Sequence, residues 1–313
     1  MEREQIRISV RNLVEFILRS GDIDNRRASL DTMEAMQAGS RLHRKIQKKM
    51  GSTYHAEVPL NIIIEEENYE LGIWGRADGI IIEETVTIDE IKGVYLSLDL
   101  LEEPVKVHLA QAKCYAYIYG IQNDLQKINV QMTYGNLDTG DLKYFSYEYS
   151  MQQLQEWFSD LILKYKKWAD FQYEWRKKRQ ASIKELAFPF PYREGQKELA
   201  AGVYRTIARK KNLFIQAPTG AGKTISTLYP AIKAGGEGLG DKIFYLTAKT
   251  VTANVAKETI GILCEKGYRA KSVQITAKEK LCPCEEVDCN PVSCPYAKGH
   301  FDRVNDAVYD LLQ

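Results

Sequence analysis

The sequence lacks a strong excess of charge of either sign, and it lacks any long hydrophobic run. Its 313 residues carry a formal net charge of +1, so a nucleic-acid partner would be bound by local basic patches rather than by overall charge. No apolar run reaches the roughly eighteen residues of a membrane-spanning helix, and the charged start, Met1 to Arg11, lacks an apolar signal segment. The sequence therefore predicts a cytoplasmic protein with reduced thiols and no membrane partner.

Internal repeats and low-complexity tracts are absent as well. Hydrophobic residues make up 44% of the chain, which excludes a disordered tail and is typical of a globular protein. The length allows two domains with sizeable cores. Because Phe188-Pro189-Phe190-Pro191 cannot lie inside a helix, we place the linker there and predict domains over residues 1–185 and 186–313.

The first predicted domain mixes helices and strands. Its pattern is helical from about Ile6 to Met50, β-rich from about His55 to Gly93 and helical again over Val105 to Gly120. Two further strands are predicted near residues 127–135 and 142–149. A long helix is predicted to follow, over about residues 151–180.

That long helix interleaves aromatic and basic side chains. In one interpretation the mixture stacks on bases and neutralises phosphates. In the other, the aromatic rings pack on the core and the basic face is solvated. The residues concerned are Trp157, Lys164, Tyr165, Lys166, Lys167, Trp168, Phe171, Tyr173, Trp175, Arg176, Lys177, Lys178 and Arg179.

Residues 217–224 read Ala-Pro-Thr-Gly-Ala-Gly-Lys-Thr, which is the sequence pattern of a phosphate-binding loop. The short apolar run Asn212 to Gln216 precedes the loop and is predicted as a buried strand, and a helix is predicted to follow. The glycines let backbone N–H groups face a polyphosphate, the lysine reaches its β and γ oxygens, and the last threonine ligates Mg²⁺. The candidate binding residues are Thr219, Gly220, Ala221, Gly222, Lys223 and Thr224.

A second strand is predicted over Lys242 to Thr250, leading into another helix. The order strand, helix, strand implies a doubly wound, RecA-like parallel sheet. The predicted fold class is therefore α/β in both domains.

Three charged residues of the first domain have the arrangement of a metal site. In a strand over Val86 to Gly93, Glu90 and Lys92 share one face, since side chains alternate with period two. Asp78, at a neighbouring strand and turn, can supply a second carboxylate. Such oxygens suit Mg²⁺ or Mn²⁺, which activate water and offset charge on phosphate. An isolated Glu-x-Lys is also common as a solvated charged pair.

With these residues the stretch resembles the PD-(D/E)XK nucleases, in particular their RecB-like branch. His43, in Gly39-Ser40-Arg41-Leu42-His43, matches the upstream metal-ligating histidine of that branch, and Gln111 with Tyr115 matches its Gln-x-x-x-Tyr element. The resemblance implies His43, Asp78 and Glu90 as metal ligands. It also implies Lys92 as the catalytic lysine, supported by Gln111 and Tyr115. Iron–sulfur members carry cysteines that flank this core, whereas this domain has only Cys114.

Four cysteines follow the spacing C-x-C-x₄-C-x₄-C near the end of the chain, and they can close one metal or cluster site. Paired C-x₂-C knuckles, which are usual in zinc ribbons, are absent, and prolines follow the first and last cysteine. A [4Fe–4S] cluster is therefore favoured over zinc, and a site without metal is the remaining alternative. The residues are Cys282, Cys284, Cys289 and Cys294.

The phosphate loop, Tyr245-Leu246-Thr247-Ala248-Lys249-Thr250 and the cysteines together resemble the DinG/XPD group of iron–sulfur DNA helicases, over roughly residues 190–313. The resemblance implies ATP as cofactor, movement 5′ to 3′ on DNA and a cluster insertion at about residues 282–294. It implies an adenine-reading role for Gln196 and contacts of Lys249 and Thr250 with the DNA strand.

The Asp-Glu-x-His motif of such motors is absent, and without its carboxylates efficient ATP hydrolysis is not expected of this chain alone. We therefore expect the N-terminal part of a longer DNA helicase with a nuclease domain, acting on single-stranded or forked DNA in repair or replication. A stand-alone Mg²⁺- or Mn²⁺-dependent DNA nuclease and a noncatalytic DNA-binding module are the alternatives. The sequence makes no prediction of oligomeric state.

Overall fold

The computed structural model describes residues 3–27, 32–218, 220–248 and 250–313. It divides into two compact units, the first comprising Met1–Asp170 with Cys284–Gln313 and the second comprising Phe171–Pro283. Residues 284–313 thus group with the first unit, although the predicted boundary lies near residue 185. Helices and a mixed sheet make up the described residues, which confirms the predicted α/β class. None of the described helices has the length and apolar character needed to cross a membrane.

A mixed sheet of six strands organises the first unit. Its order is β1-β3-β4-β5-β6, and β2 also pairs with β3. The pairs β1–β3 and β4–β5 are parallel, and the other pairs are antiparallel. The strands are β1 (Glu4–Ser9), β2 (Tyr54–Glu65), β3 (Tyr69–Ile81), β4 (Thr87–Val94), β5 (Lys127–Asn136) and β6 (Leu142–Ser150).

Nine α-helices are present among the described residues, and two short 3₁₀ turns at Asn25–Arg27 and Leu98–Leu100 accompany them. The helices are α1 (Val10–Leu18), α2 (Thr32–Gln47), α3 (Lys106–Gln122), α4 (Met151–Lys184), α5 (Gln196–Ala208), α6 (Lys223–Gly236), α7 (Thr250–Glu265), α8 (Lys278–Leu281) and α9 (His300–Leu312).

The predicted helical start of the chain is wrong for its first residues. Glu4–Ser9 is a strand that pairs in parallel with β3, and Ile6 is buried on it. The helix begins only after Ser9, whose side chain accepts a hydrogen bond from the Asn12 N–H and so acts as an N-cap. The alternation of apolar residues before Ser9 has the period of a strand. The other predicted elements of this domain are confirmed: β2 to β4, α3, β5, β6 and α4.

Apolar packing between α2 and β4 positions the upstream part of the site. Leu42 and Ile46 of α2 are buried against Ile91 of β4, with Leu137 beside them. Because Leu42 and His43 are neighbours on the helix, this contact also fixes where the imidazole lies. Burying these side chains stabilises the arrangement by roughly 1.5–3 kcal/mol for each large residue.

The aromatic residues of α4 belong largely to the core. Tyr165 and Trp168 are buried, and the Trp168 ring makes edge contacts with Phe16 and Tyr309. For these rings the packing interpretation of the sequence is the one that the structure favours. Farther along α4, Phe171 and Trp175 stack with nearly parallel rings.

The prediction of two strands around the phosphate loop is wrong for the described residues. Residues 212–216 and 242–246 have no strand conformation, and none of the described strands pairs with them. Phe214 is 96% exposed and Leu246 is 89% exposed. A parallel strand requires hydrogen-bonded neighbours and cover on both faces, and these segments have neither. The core of the second unit instead consists of Ile183, Leu186, Ile225, Ile232 and Leu263.

Candidate functional site

The strands β3 and β4 separate at the centre of the candidate site. Their antiparallel ladder runs from Ile81 and Thr87 to Gly79 and Asp89 and ends there. Asp78 and Glu90 are the next residues on each strand, so their carboxylates lie at the point of separation. The Ile91 N–H lies beyond the β3–β4 ladder and donates to Asp78 Oδ2 at 2.9 Å.

Glu90 and Lys92 form a buried ion pair on β4. Lys92 Nζ lies 2.7 Å from Glu90 Oε1, and the Glu90 side chain is 1% exposed. Glu90 Oε2 has no hydrogen-bond donor among the described residues. Burial raises the pKa of Glu90 to about 8, although the Lys92 charge acts in the opposite direction. A buried carboxylate with an unused oxygen is a group that a cation would stabilise.

Helix α3 supports Lys92 from one side. Lys92 Nζ donates to Gln111 Oε1 at 3.2 Å, and Gln111 Nε2 in turn donates to Tyr115 Oη at 3.4 Å. Tyr115 is buried, and an added Cβ at Gly75 would lie 2.6 Å from its hydroxyl oxygen. Glycine at position 75 is therefore required for this approach. The structure thus joins Glu90, Lys92, Gln111 and Tyr115 in one chain of polar contacts.

His43 approaches the same centre from α2. Its Nδ1 lies 3.4 Å from Asp78 Oδ1. Burial opposes protonation of the ring, but the hydrogen bond and the charge of Asp78 outweigh it and raise the pKa of His43. Asp78 thus links His43 to β4, because its other carboxylate oxygen accepts from the Ile91 N–H.

Glu57 of β2 also belongs to this centre, although the sequence pattern did not predict it. Ligand atoms of His43, Glu57 and Asp78 all lie within 4.8 Å of one another. Glu57 Oε2 pairs with Arg76 Nε at 2.7 Å, and Gln47 Nε2 donates to Glu57 Oε1 at 3.1 Å. Nothing in the local sequence marks Glu57, because its position depends on the register between β2 and β3.

These residues fit a hard divalent cation. Carboxylate oxygens with one imidazole nitrogen suit Mg²⁺ or Mn²⁺, and the unused Glu90 Oε2 supplies an acceptor that no described donor satisfies. The adjacent ammonium of Lys92 can bind a phosphate oxygen or a water molecule at the same place.

The buried Glu90 predicts an unusual dependence of stability on pH. Its pKa of about 8 lies above the ordinary value of 4.5. Between these two pH values, the folded chain therefore keeps a proton that the unfolded chain has already lost. This stabilisation is complete below about pH 4.5 and is lost as pH rises through about 8. With EDTA present, the free energy of unfolding should fall by on the order of a few kcal/mol between pH 5 and pH 9. Urea denaturation of wild type and Glu90→Gln at several pH values measures this free energy. An equal dependence on pH in both proteins would contradict the raised pKa of Glu90.

The phosphate loop lies in the second unit, ahead of α6. Gly220 and Gly222 have φ values of +83° and +70°, which glycine adopts readily. Lys223 Nζ donates to the carbonyl oxygens of Ala217 and Pro218, at 2.9 and 2.8 Å. Ala221 precedes α6, which begins at Lys223 and includes Thr224. Thr219 and Lys249 lie outside the described residues, as does the side chain of Thr250.

Gln196 supports this loop directly. It is 6% exposed, and its Nε2 donates to the Ala221 carbonyl at 3.1 Å. Its Oε1 accepts from the Arg193 N–H at 2.9 Å, and the Arg193 guanidinium donates to the Gly220 carbonyl at 2.7 Å. An added Cβ at Gly222 would lie 2.1 Å from Gln196 Nε2. The structure therefore places Gln196 against the loop backbone.

The four cysteines predicted to hold a cluster lie on both sides of the boundary between the two units along the chain. Cys284, Cys289 and Cys294 belong to the first unit and Cys282 to the second. Among the described residues, His43, Glu57 and Asp78 form the group of metal-ligating side chains whose ligand atoms lie within 4.8 Å of one another. That group includes none of the cysteines. A cluster at the cysteines therefore stays a prediction.

The segment that carries three of the cysteines packs on residues 21–25 within the first unit. The Asn25 N–H donates to the Cys289 carbonyl at 2.8 Å, and the Ile23 N–H donates to the Ala297 carbonyl at 2.9 Å. Asp302 Oδ1 accepts from the Gly21 N–H at 2.8 Å. Cys289 and Cys294 are buried in this arrangement.

A short part of the chain is similar to a protein described as a probable helicase. A segment of 51 residues, 16% of the chain, is 49% identical to the probable ATP-dependent helicase MJ0942 of Methanocaldococcus jannaschii. It covers 8% of that protein, so the match spans far less than two thirds of the relative. The structure described as the crystal structure of SSO0001 is 20% identical, with a TM-score of 0.33, over 50% of this chain and 75% of that one. No protein-family model matches the chain.

Proposed function

We propose that the chain is part of an ATP-dependent DNA helicase whose first unit is a divalent-metal-dependent DNA nuclease. The observation that carries the nuclease is the meeting of Asp78, Glu90 and Lys92 where β3 and β4 separate. The phosphate loop and the 51 residues similar to a probable ATP-dependent helicase support the motor.

In the proposed nuclease, His43, Asp78 and Glu90 would hold the cation. When bound, Mg²⁺ or Mn²⁺ activates water and offsets the charge that develops on the scissile phosphate. The Lys92 ammonium holds the attacking water or a phosphate oxygen, and Gln111 keeps that ammonium directed by accepting its hydrogen bond. Tyr115 fixes the Gln111 amide. Each group has a distinct role, and all lie within hydrogen-bonding contact of a neighbour.

In the proposed motor, residues 217–224 bind the phosphates of ATP. The Lys223 ammonium, which now donates to two loop carbonyls, would exchange them for phosphate oxygens. Gln196 holds the loop backbone in shape. Translocation 5′ to 3′, a [4Fe–4S] cluster at the cysteines and single-stranded or forked DNA as substrate are further parts of this proposal, and the family resemblance supports them.

Cleavage of labelled single-stranded and forked DNA tests the nuclease directly. We expect products with Mg²⁺ or Mn²⁺, none with EDTA, and no requirement for ATP, because the metal-binding residues lie in the first unit. Denaturing gels of single-turnover reactions measure it. Absence of cleavage with either metal, in protein that binds DNA with a steep salt dependence, would favour a noncatalytic DNA-binding module.

A further inference from the structure

His108 of α3 lies beside Lys92, and two independent parts of the fold place it there. On the helix, His108 precedes Gln111 by three residues, so it shares the face on which Gln111 accepts a hydrogen bond from Lys92. On the sheet, Lys92 of β4 is the register partner of Tyr134 of β5, so their side chains project from the same face. Tyr134 Oη hydrogen-bonds His108 Nδ1 at 3.0 Å. The imidazole therefore lies at the Lys92 end of the candidate site.

The hydrogen bonds of Tyr134 determine which nitrogen of the imidazole carries the proton. Tyr134 is buried, and its Oη accepts from the Val105 backbone N–H at 3.0 Å. Among the described residues, the acceptor within reach of the hydroxyl proton is His108 Nδ1. A buried hydroxyl donates its proton where an acceptor is available. Nδ1 thus accepts, and the proton of the neutral ring is on Nε2.

The His108 ring is neutral at physiological pH. Burial and the charge of Lys92 lower the pKa of His108 to about 4. The charge of Glu15 raises this pKa and that of Arg11 lowers it, each by less. His108 is half-buried, and its hydrogen bond within the described part of the chain is the one at Nδ1. The Nε2–H can therefore bind an anion without placing a second positive charge beside the Lys92 ammonium.

We propose that His108 donates its Nε2–H to a nonbridging phosphate oxygen of the DNA strand, next to the Lys92 ammonium. This inference rests on the proposed nuclease function and adds to it a contact with the sugar–phosphate backbone at the cleavage site. Phosphate contacts fix the position of a strand without reading its sequence. His108 therefore strengthens binding of the strand to a similar extent for every base sequence.

Two substitutions at position 108 separate this role from a purely structural bond to Tyr134. The side-chain nitrogen of glutamine takes the place of Nε2 and keeps the donor, whereas the side-chain oxygen of asparagine takes the place of Nδ1 and keeps the bond to Tyr134. At subsaturating single-stranded DNA, His108→Gln should cleave within about threefold of wild type and His108→Asn roughly 10- to 100-fold more slowly. His55→Asn is the matched control, because His55 is an exposed histidine of β2, and it should cleave as wild type does. The reverse order at position 108, or wild-type rates in both variants, would overturn the proposal.

Nitrogen-15 spectra of the histidine rings test the same contact without cleavage. The chain has four histidines, and the spectrum of His108→Asn identifies the signals of His108. In EDTA at neutral pH, wild type should show a neutral ring with its proton on Nε2, and the Nε2 signal should shift when a single-stranded oligonucleotide is added. This signal also decides the case in which both substitutions slow cleavage equally or prevent folding.

The two failures are distinguishable. A shifted Nε2 signal in a chain that cuts no DNA with Mg²⁺ or Mn²⁺ would refute the nuclease and retain the DNA contact of His108. An unmoved signal, or a proton on Nδ1, would refute the role of His108 whatever the cleavage result, and the nuclease would stand if the chain cuts DNA.

Discussion

Replacing Lys92 with alanine is expected to slow metal-dependent DNA cleavage by at least ~10²–10³-fold, the usual cost of removing one preorganised group that stabilises developing charge. The ammonium forms an ion pair with Glu90 Oε1 at 2.7 Å, and it donates a hydrogen bond to Gln111. Its removal takes away the group proposed to hold the attacking water or a phosphate oxygen, and also the counter-charge of a buried carboxylate. Single-turnover rates at saturating Mn²⁺ measure the loss.

Lys127→Ala is the matched control for this variant. Lys127 lies on β5 of the same sheet and also pairs with a glutamate, Glu148, but both side chains are 57% exposed. Exposed pairs of this kind contribute little, so cleavage should remain at the wild-type rate. Removing one member of a buried pair destabilises a protein by up to ~3–5 kcal/mol, so rates are compared at a temperature where circular dichroism shows both variants folded. A folded Lys92→Ala chain that cleaves within a few-fold of wild type would exclude the catalytic assignment.

Replacing Lys223 with alanine is expected to weaken ATP binding to the second unit by roughly 10- to 100-fold. Hydrogen bonds to charged groups contribute about 1.5–3 kcal/mol each, and 1.4 kcal/mol corresponds to a factor of ten in affinity. In the structure the ammonium donates to two loop carbonyls, so the lysine already lies within the loop. Equilibrium titration with a fluorescent ATP analogue and Mg²⁺ provides the measurement.

Lys257→Ala serves as the control for nucleotide binding, because Lys257 is an exposed lysine of α7 in the same unit. Its affinity for the analogue should equal that of wild type. Equal affinity of Lys223→Ala and wild type would remove the phosphate loop from the proposal, while leaving the nuclease assignment of the first unit untouched.

The parts of the candidate site that follow from local periodicity could be predicted from the sequence. Glu90 and Lys92 are two residues apart on a strand, and Gln111 and Tyr115 are four apart on a helix, so each pair shares a face. The structure brings the members of each pair into contact. These spacings depend on bond geometry within one element, and no tertiary information is needed to read them.

Features that depend on pairing between distant segments could not be predicted in the same way. Glu57 joins the site only because of the register between β2 and β3, and local sequence does not specify that register. The strand Glu4–Ser9 is defined by its pairing with β3 and was hidden in an otherwise helical pattern. Conversely, Asn212 to Gln216 has the composition of a buried strand, but Phe214 is exposed because no described strand covers it.

The hydrogen bonds between residues 21–25 and residues 289–302 also determine the order in which the chain can fold. Gly21 and Asp302 are 281 positions apart, and the whole second unit lies between the two parts of the first. During synthesis the ribosome therefore releases the second unit before the first can be completed. Contacts of such long range also form slowly, because the entropy of closing the intervening chain is lost before the contact stabilises it. Of the two units, the first is consequently the later one to reach its final structure.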